Sequence, residues 1–139
     1  MVDALRVQRL LRGVADRVAQ LQGEAGADDE RRADPLWLPG VKYLFLTAIE
    51  ACIDAAQHVC ASEGWGPPET NGEAFVLLGR HGALPPALAG RLRQAAGFRN
   101  VLVHDYVTVD DSVVVARLTD LSDLDAFVSA VVKLTQDLP

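Results

Sequence analysis

The chain has 139 residues, 50% of them hydrophobic, and carries a formal net charge of −6. This length predicts a single domain over residues 1–139, with one core and no room for a separate catalytic module. The acidic balance argues against broad electrostatic attachment to nucleic acid or to anionic lipid. Any positive charge used in binding must therefore be concentrated in one place.

Neither membrane insertion nor secretion is indicated by the sequence. The most apolar segment, Val41–Ala61, is interrupted by three charged residues, and the N-terminus lacks the pattern of a signal peptide. Cys52 and Cys60 are eight residues apart on one predicted helix, about 12 Å along its axis, which is too far for a disulfide. We expect reduced thiols in a cytoplasmic protein that does not bind membranes.

The first predicted helix runs from Asp3 to Leu21 and is amphipathic, with Gly23 as its stop. Its apolar residues recur at steps of three and four, and they are Val7, Leu11, Val14, Val18 and Leu21. The following segment, Glu24–Pro35, has no periodicity and predicts a flexible loop.

The second predicted helix starts at or soon after Pro39 and runs to about Ser62. Its wide apolar face is typical of a central core helix. Gly64 and the glycine and prolines after it are expected to end this helix.

Two shorter signals predict the next helices. Thr70 and Glu73 have the spacing of a capping box, which predicts a short helix ending by Arg80. Pro85 or Pro86 suits the first turn of a fourth helix, where the missing N–H costs nothing. That helix leads into the most polar motif of the chain.

Residues 107–118 leave two alternatives open. Their valine-rich composition favours a β-hairpin, whereas an Asp110 or Asp111 cap favours a loop and a short helix. The closing helix is clearer, with possible caps at Thr119 or Ser122. Its apolar residues are Leu124, Phe127, Val131, Leu134 and Leu138.

The segment Phe98–Tyr106 places a guanidinium, an amide, an imidazole and a phenol within nine residues. On a helix, Asn100 and His104 share one face, and Arg99 and Tyr106 lie near a common azimuth. Arginine can hold a phosphate through two hydrogen bonds and histidine titrates near neutral pH, as phosphodiester transesterification requires. By spacing alone, the favoured interpretation is a surface ion pair for the arginine, a helix-end position for the histidine and a half-buried tyrosine.

Two further sets of residues are candidates for a site. Glu50 and Asp54 share a face of the second helix and predict either a polar wall of a cleft or a solvated edge. The spacing of Cys52, His58 and Cys60 fits no metal-binding pattern, so we expect no metal there.

Positive charge is concentrated on the fourth predicted helix. Arg91, Arg93 and Arg99 follow one another there with no carboxylate until Asp105. If RNA is a substrate, this helix is the part of the chain that would attract it.

The spacing Arg99, four residues, His104, one residue, Tyr106 matches the Arg-x4-His-x-Tyr motif of the HEPN superfamily. The wider string from Phe98 through Tyr106, followed by Val109 and Asp110, resembles the HepT-like toxins, whose Phe-Arg-Asn-x-Leu-Val-His-x-Tyr pattern it follows. The arrangement of helices is similar along nearly the whole chain.

This resemblance implies an all-α bundle of about five to six helices that forms a homodimer, with two motifs facing one cleft. It implies a metal-independent RNA endonuclease without a cofactor. Arg99 would hold the scissile phosphate, His104 would act as general base or acid, and Asn100 would orient the imidazole or the phosphate. Attack by the RNA 2′-hydroxyl would leave a cyclic phosphate.

The resemblance also implies a means of control. Tyr106 corresponds to the position on which a minimal nucleotidyltransferase antitoxin of the MntA type places AMP, as in type VII toxin–antitoxin pairs. A bulky anion two residues from His104 would block the cleft. The alternative is a non-catalytic helical module that serves as the substrate-binding partner of such a nucleotidyltransferase.

Overall fold

The computed structural model describes residues 2–104 and 109–136. Within these ranges the backbone forms helices and no strand, which confirms the all-α class. Five long helices form the bundle, and two short helices and a 3-10 turn connect them. The elements are α1 Ala4–Ala25, α2 Asp29–Arg32, α3 Trp37–Glu63, α4 Asn71–Arg80, α5 Pro86–His104, α6 Asp111–Ala116, the 3-10 turn Arg117–Thr119 and α7 Ser122–Gln136.

Helix α3 lies at the centre of the bundle, where it packs against α1, α4, α5 and α7. An 18-residue window of α3 has a mean hydropathy of 1.3, so by length and composition this helix is apolar enough to cross a membrane. The three charged residues of the segment predict otherwise. Half of that window is buried against the other helices. The predicted role of α3 as the core helix therefore explains why it is apolar.

The segment between α1 and α3 differs from the predicted loop. Helix α1 continues through Gly23 to Ala25, and α2 is capped by the Asp28 carboxylate, which accepts a 2.9 Å bond from the Arg31 N–H. The Arg32 guanidinium donates to the Ala25 and Ala27 carbonyl oxygens at 3.1 and 3.0 Å. These bonds satisfy carbonyls that a helix end leaves unpaired, so the segment is more ordered than its composition indicates.

The end of α3 and the start of α4 lie where the sequence predicts them. Gly64 terminates α3 with a φ of +70°, a conformation that glycine adopts without a steric penalty. Thr70 Oγ1 accepts from the Glu73 N–H at 3.1 Å and caps α4. The return bond of the capping box differs, because the Glu73 carboxylate accepts from the Glu69 N–H at 2.7 Å instead of from Thr70.

The hairpin alternative for residues 107–118 is wrong over 109–118, and positions 107 and 108 lie outside the described residues. Asp110 Oδ1 accepts from the Ser112 N–H at 2.9 Å and caps α6. Val114 is completely buried, and Lys42 Nζ on α3 pairs with Asp111 at 2.8 Å. Capping and burial thus outweigh the β propensity of the valines.

Helices α4 and α5 pack closely at Gly79, which gives a test of the packing. A Cβ at Gly79 would lie 2.8 Å from the Ala89 Cβ, whereas a Cβ at the exposed Gly90 would meet nothing within 4 Å. We expect Gly79→Ala to lower the free energy of unfolding, because overpacking costs about 1–3 kcal/mol and the helix-propensity gain is at most about 1 kcal/mol. Gly90→Ala should raise it by up to about 1 kcal/mol. Urea denaturation measures both, and equal stabilisation would contradict the close contact.

Candidate active site

Arg99 lies on the face of α5 that packs toward α3. It continues the apolar stripe of Leu92 and Ala96, and its side chain is only 21% exposed. Its Nη2 and Nε donate to Glu50 Oε1 on α3 at 2.7 and 3.2 Å. Because the guanidinium is held by a carboxylate on another helix, its position is fixed relative to the core.

Asn100 contacts the same guanidinium. Its Oδ1 accepts from Arg99 Nη1 at 3.0 Å. A guanidinium has five N–H donors, and the contacts with Glu50 and Asn100 use three of them. One N–H on each terminal nitrogen remains, and guanidinium N–H groups can bind a phosphate through two hydrogen bonds.

A polar cleft of about 250 Å³ opens beside Arg99. Its lining residues come from α3, α4 and α5, and they are Glu50, Ile53, Asp54, Gln57, Asn71 and Arg99. Across the cleft, Gln57 Nε2 donates to Asn71 Oδ1 at 3.1 Å. The structure therefore brings Glu50 and Asp54 together with Arg99 in one cleft.

Asp54 is exposed, but its environment disfavours the ionised form. Partial burial raises its pKa above the ordinary value, and the nearby Glu50 charge raises it further. The cations of Arg6 and Arg99 act in the opposite direction and do not cancel these effects. The cleft thus combines one ion-paired carboxylate with one whose charge is only partly compensated.

His104 occupies the last turn of α5 and is exposed. It is five residues after Arg99, which corresponds to about 7.5 Å along the helix axis, and it shares the face of Asn100. Tyr106 lies outside the described residues. Among the predicted site residues, the structure joins Arg99, Asn100, Glu50 and Asp54 and places His104 on the exposed face of the same helix.

Gln57 and Asn71 were not predicted as cleft residues. Gln57 could have been found, because Glu50, Asp54 and Gln57 follow the spacing of one helix face within an otherwise apolar helix. Asn71 offers no such signal, since only the packing of α4 against α3 brings it to the cleft.

The two cysteines and His58 do not form a site. Cys52 is fully buried, and this burial raises the pKa of its thiol. Burial also raises the pKa of Cys60, whose Sγ donates to the Ala74 carbonyl oxygen. His58 Nε2 accepts from the Asp3 N–H at 3.0 Å. Among the described residues, no group of His, Cys, Asp and Glu is arranged to hold a metal ion.

Comparison with known protein families gives a match that covers most of the chain. The family described as "Ribonuclease HepT-like" matches residues 9–131. The chain belongs to the HepT-like ribonuclease family. The predicted family is thereby confirmed, and so is the ribonuclease class at the level of that family.

Three curated relatives share part of the sequence. An mRNA nuclease HepT of Shewanella oneidensis is 31% identical over 59% of this chain and 62% of its own length. A tRNA nuclease HepT of Aphanizomenon flos-aquae is 39% identical over 44% of this chain and 42% of its own length. A putative RNase of Archaeoglobus fulgidus is 32% identical over 68% of this chain and 71% of its own length. For the first two, the match spans less than two thirds of the relative.

Solved structures agree with the fold. A toxin–antitoxin structure with AMP-PNP has a TM-score of 0.83, with 23% identity over 91% of this chain and 96% of the matched chain. A tri-AMPylated Shewanella oneidensis HEPN toxin in complex with an MNT antitoxin gives the same TM-score, with 23% identity over 94% and 98%. A Bacillus subtilis cytosolic protein, YutE, scores 0.84 with 15% identity over 99% and 95%. At these identities the likeness shows the fold alone.

The raised pKa of Asp54 predicts how stability depends on pH. Because the folded pKa exceeds the unfolded one, ionisation of Asp54 weakens the fold. Asp54→Asn should therefore raise the free energy of unfolding at pH 7, and this gain should disappear as the pH falls through the unfolded pKa of about 3.9 to about pH 3, where the carboxyl is protonated in both states. Chemical denaturation across this range measures the effect.

Asp120 supplies a control of opposite sign. Hydrogen bonds from the Ser122 hydroxyl and backbone N–H lower its pKa, so its contribution to stability is present at neutral pH and is lost in acid. Asp120→Asn should lower the free energy of unfolding at pH 7. Equal shifts in the two variants would contradict the assigned environments.

Proposed function

We propose that this chain is an RNA endonuclease toxin of the cytoplasm, inhibited by a nucleotidyltransferase antitoxin. The observation that carries the proposal is the position of Arg99, which Glu50 and Asn100 hold beside a polar cleft, five residues before an exposed histidine. Membership of the HepT-like family and the nuclease names of its relatives support the reaction class.

The reaction is a transesterification that needs no metal. The ribose 2′-oxygen attacks the adjacent phosphorus, and the bond from phosphorus to the 5′-oxygen breaks. The products are a 2′,3′-cyclic phosphate and a 5′-hydroxyl. The proton from the 2′-hydroxyl passes to a base, and the leaving 5′-oxygen takes a proton from an acid.

Arg99 and His104 divide this chemistry between them. The two N–H groups of Arg99 that remain on its terminal nitrogens bind the phosphate and stabilise the charge that develops on it. His104 transfers a proton, since an imidazole can both accept and donate one. Asn100 holds the guanidinium in place through its Oδ1. Glu50 and Asp54 form the opposite wall of the cleft.

A homodimer completes the site in this proposal. Cleavage requires both a base and an acid, and one chain offers a single histidine in this motif. Two copies that face each other would supply two imidazoles and two arginines. The second arginine also matters because Glu50 offsets much of the charge of the first.

The proposed control acts through Tyr106. A nucleotidyltransferase partner transfers AMP from ATP to the tyrosine oxygen and releases pyrophosphate. The added phosphate carries negative charge close to His104 and repels the RNA. The tri-AMPylated toxin seen with its MNT antitoxin in Shewanella oneidensis supports this part of the proposal.

Substitution of the two reactive residues tests the nuclease. Arg99→Ala and His104→Ala should each lower the rate of RNA cleavage at least about 100-fold, because each removes phosphate binding or proton transfer. The measurement is cleavage of labelled RNA in EDTA, with detection of cyclic-phosphate ends.

The matched control is Arg9→Ala, which removes an exposed arginine from α1 and should leave the rate unchanged. Circular dichroism and sedimentation show whether each variant keeps its fold and assembly. Undiminished cleavage by both site variants would exclude the proposed roles. If the wild-type chain does not cleave RNA but binds the nucleotidyltransferase, the non-catalytic alternative is correct.

Modification of Tyr106 is tested by intact-mass measurement. With the nucleotidyltransferase and ATP, the mass should rise by one or more AMP units, and Tyr106→Phe should abolish the increase. Peptide mapping locates the modified residue. Tyr43, which is 62% exposed on α3, is the matched control, and Tyr43→Phe should leave the increase intact. AMP on Tyr43 instead of Tyr106 would refute the proposed switch.

A further inference from the structure

The ionisable side chains of α5 are all basic, in a chain with a net charge of −6. Two of its arginines are already paired, because Arg91 Nε contacts Asp123 Oδ1 at 2.9 Å and Arg99 contacts Glu50. Arg93 differs from them, since no carboxylate of residues 2–104 or 109–136 forms an ion pair with it. Its charge is therefore available to an anion from solution.

Arg80 is a second arginine with this property. It is exposed in the last turn of α4, and within the described ranges no carboxylate pairs with it. Both arginines line one shallow groove of about 380 Å³ between α4 and α5. The other lining residues are uncharged, so the described lining holds no carboxylate, and they are Val76, Gly79, Pro86, Ala89 and Gly90.

The base of the Arg93 side chain is held by packing. A Cβ at Gly72 would lie 3.0 Å from Arg93 Cγ, so the start of α4 closely approaches the arginine stem. Gly72 follows Asn71, which lines the cleft beside Arg99. Arg93 therefore packs against the start of α4, next to a residue that lines the Arg99 cleft.

The spacing along α5 suits a polymer with regularly placed phosphates. Arg93 lies seven residues before Asn100 and eleven before His104, so all three share one face of the helix. The separations are about 10 and 16 Å along the axis. Phosphates repeat along an RNA strand every few ångströms, so a strand that lies along this face at His104 is long enough to reach Arg93.

We propose that Arg80 and Arg93 form a phosphate-binding surface that holds the RNA strand leading away from Arg99. This inference rests on the proposed function. The surface contacts the sugar–phosphate backbone and does not read bases, because its charged groups are two guanidinium ions. It provides the local positive charge that an acidic chain needs in order to hold RNA.

The test measures RNA binding in the full-length chain without turnover. Labelled oligouridine and a mixed-sequence RNA, each about 20 nucleotides long and thus longer than a typical single-strand site, are titrated with His104→Ala by fluorescence anisotropy at several salt concentrations. Arg80→Ala and Arg93→Ala are then added singly to that background, and Arg9→Ala serves as the control of equal charge change.

Each surface variant should weaken binding about three- to fivefold near 0.1 M salt, equally for both RNAs. Each should also reduce the slope of log affinity against log salt by about 0.7, the value for one lost phosphate contact on a single strand. Arg9→Ala should change neither quantity. A purely structural role for the arginines would leave the salt slope unchanged.

The outcomes separate this inference from the nuclease itself. If the wild-type chain cleaves RNA while both surface variants keep the salt slope of the His104→Ala variant, the surface is excluded and the nuclease stands. If the slopes fall as expected but the wild-type chain does not cleave RNA, the surface stands without the nuclease. The inference is overturned if the His104→Ala variant binds no RNA. It is also overturned if the surface variants lose binding to the nucleotidyltransferase while the slope of log RNA affinity against log salt stays unchanged.

Discussion

The apolar contact between α3 and α5 is the constraint on which the candidate site depends. Phe45 and Phe98 meet edge to face with their ring centroids 5.9 Å apart, and Leu92 and Ala96 of α5 are almost completely buried. This packing fixes the rotation of α5, so that Arg99 must face Glu50 at the border of the core. The ion pair is partly exposed and contributes at most about 1 kcal/mol to stability. The effect of the ion pair is to hold the guanidinium in one position, because the apolar contact alone fixes only the helix.

The helices were largely predictable because most of them bury one face and end at recognisable caps. Thr70, Gly64 and Asp110 act at the ends that the sequence indicates. The sequence is less decisive where long-range contacts determine the structure. The valines of α6 prefer strands, but Val114 is buried and Asp111 pairs with Lys42 of a distant helix. The segment before α3 is ordered by bonds from arginine side chains that no periodicity reveals.

The candidate site was predictable only in part. The motif identified Arg99, Asn100 and His104, and the spacing of Glu50 and Asp54 placed both on one face of α3. The sequence could not show that this face meets Arg99, because the meeting depends on the relative rotation of two helices that are 49 residues apart at the contact. Asn100 contacts the guanidinium of its neighbour, which was neither of the two partners expected for it, the imidazole and the phosphate, and only side-chain geometry shows this contact.

The distribution of charge gives a physical reason why one copy of the proposed nuclease would bind RNA weakly. Asp123 and Glu50 offset two of the three arginines on α5, so Arg93 is the arginine of this helix whose charge no carboxylate of the described residues offsets. A phosphate that approaches Arg99 must also come close to the Glu50 carboxylate, which weakens binding to one copy. Pairing two copies would double the number of arginines at one cleft, and Arg93 with Arg80 would extend the contact along the strand. Activity in this scheme depends on assembly, since the second copy would supply the additional arginines and the second imidazole.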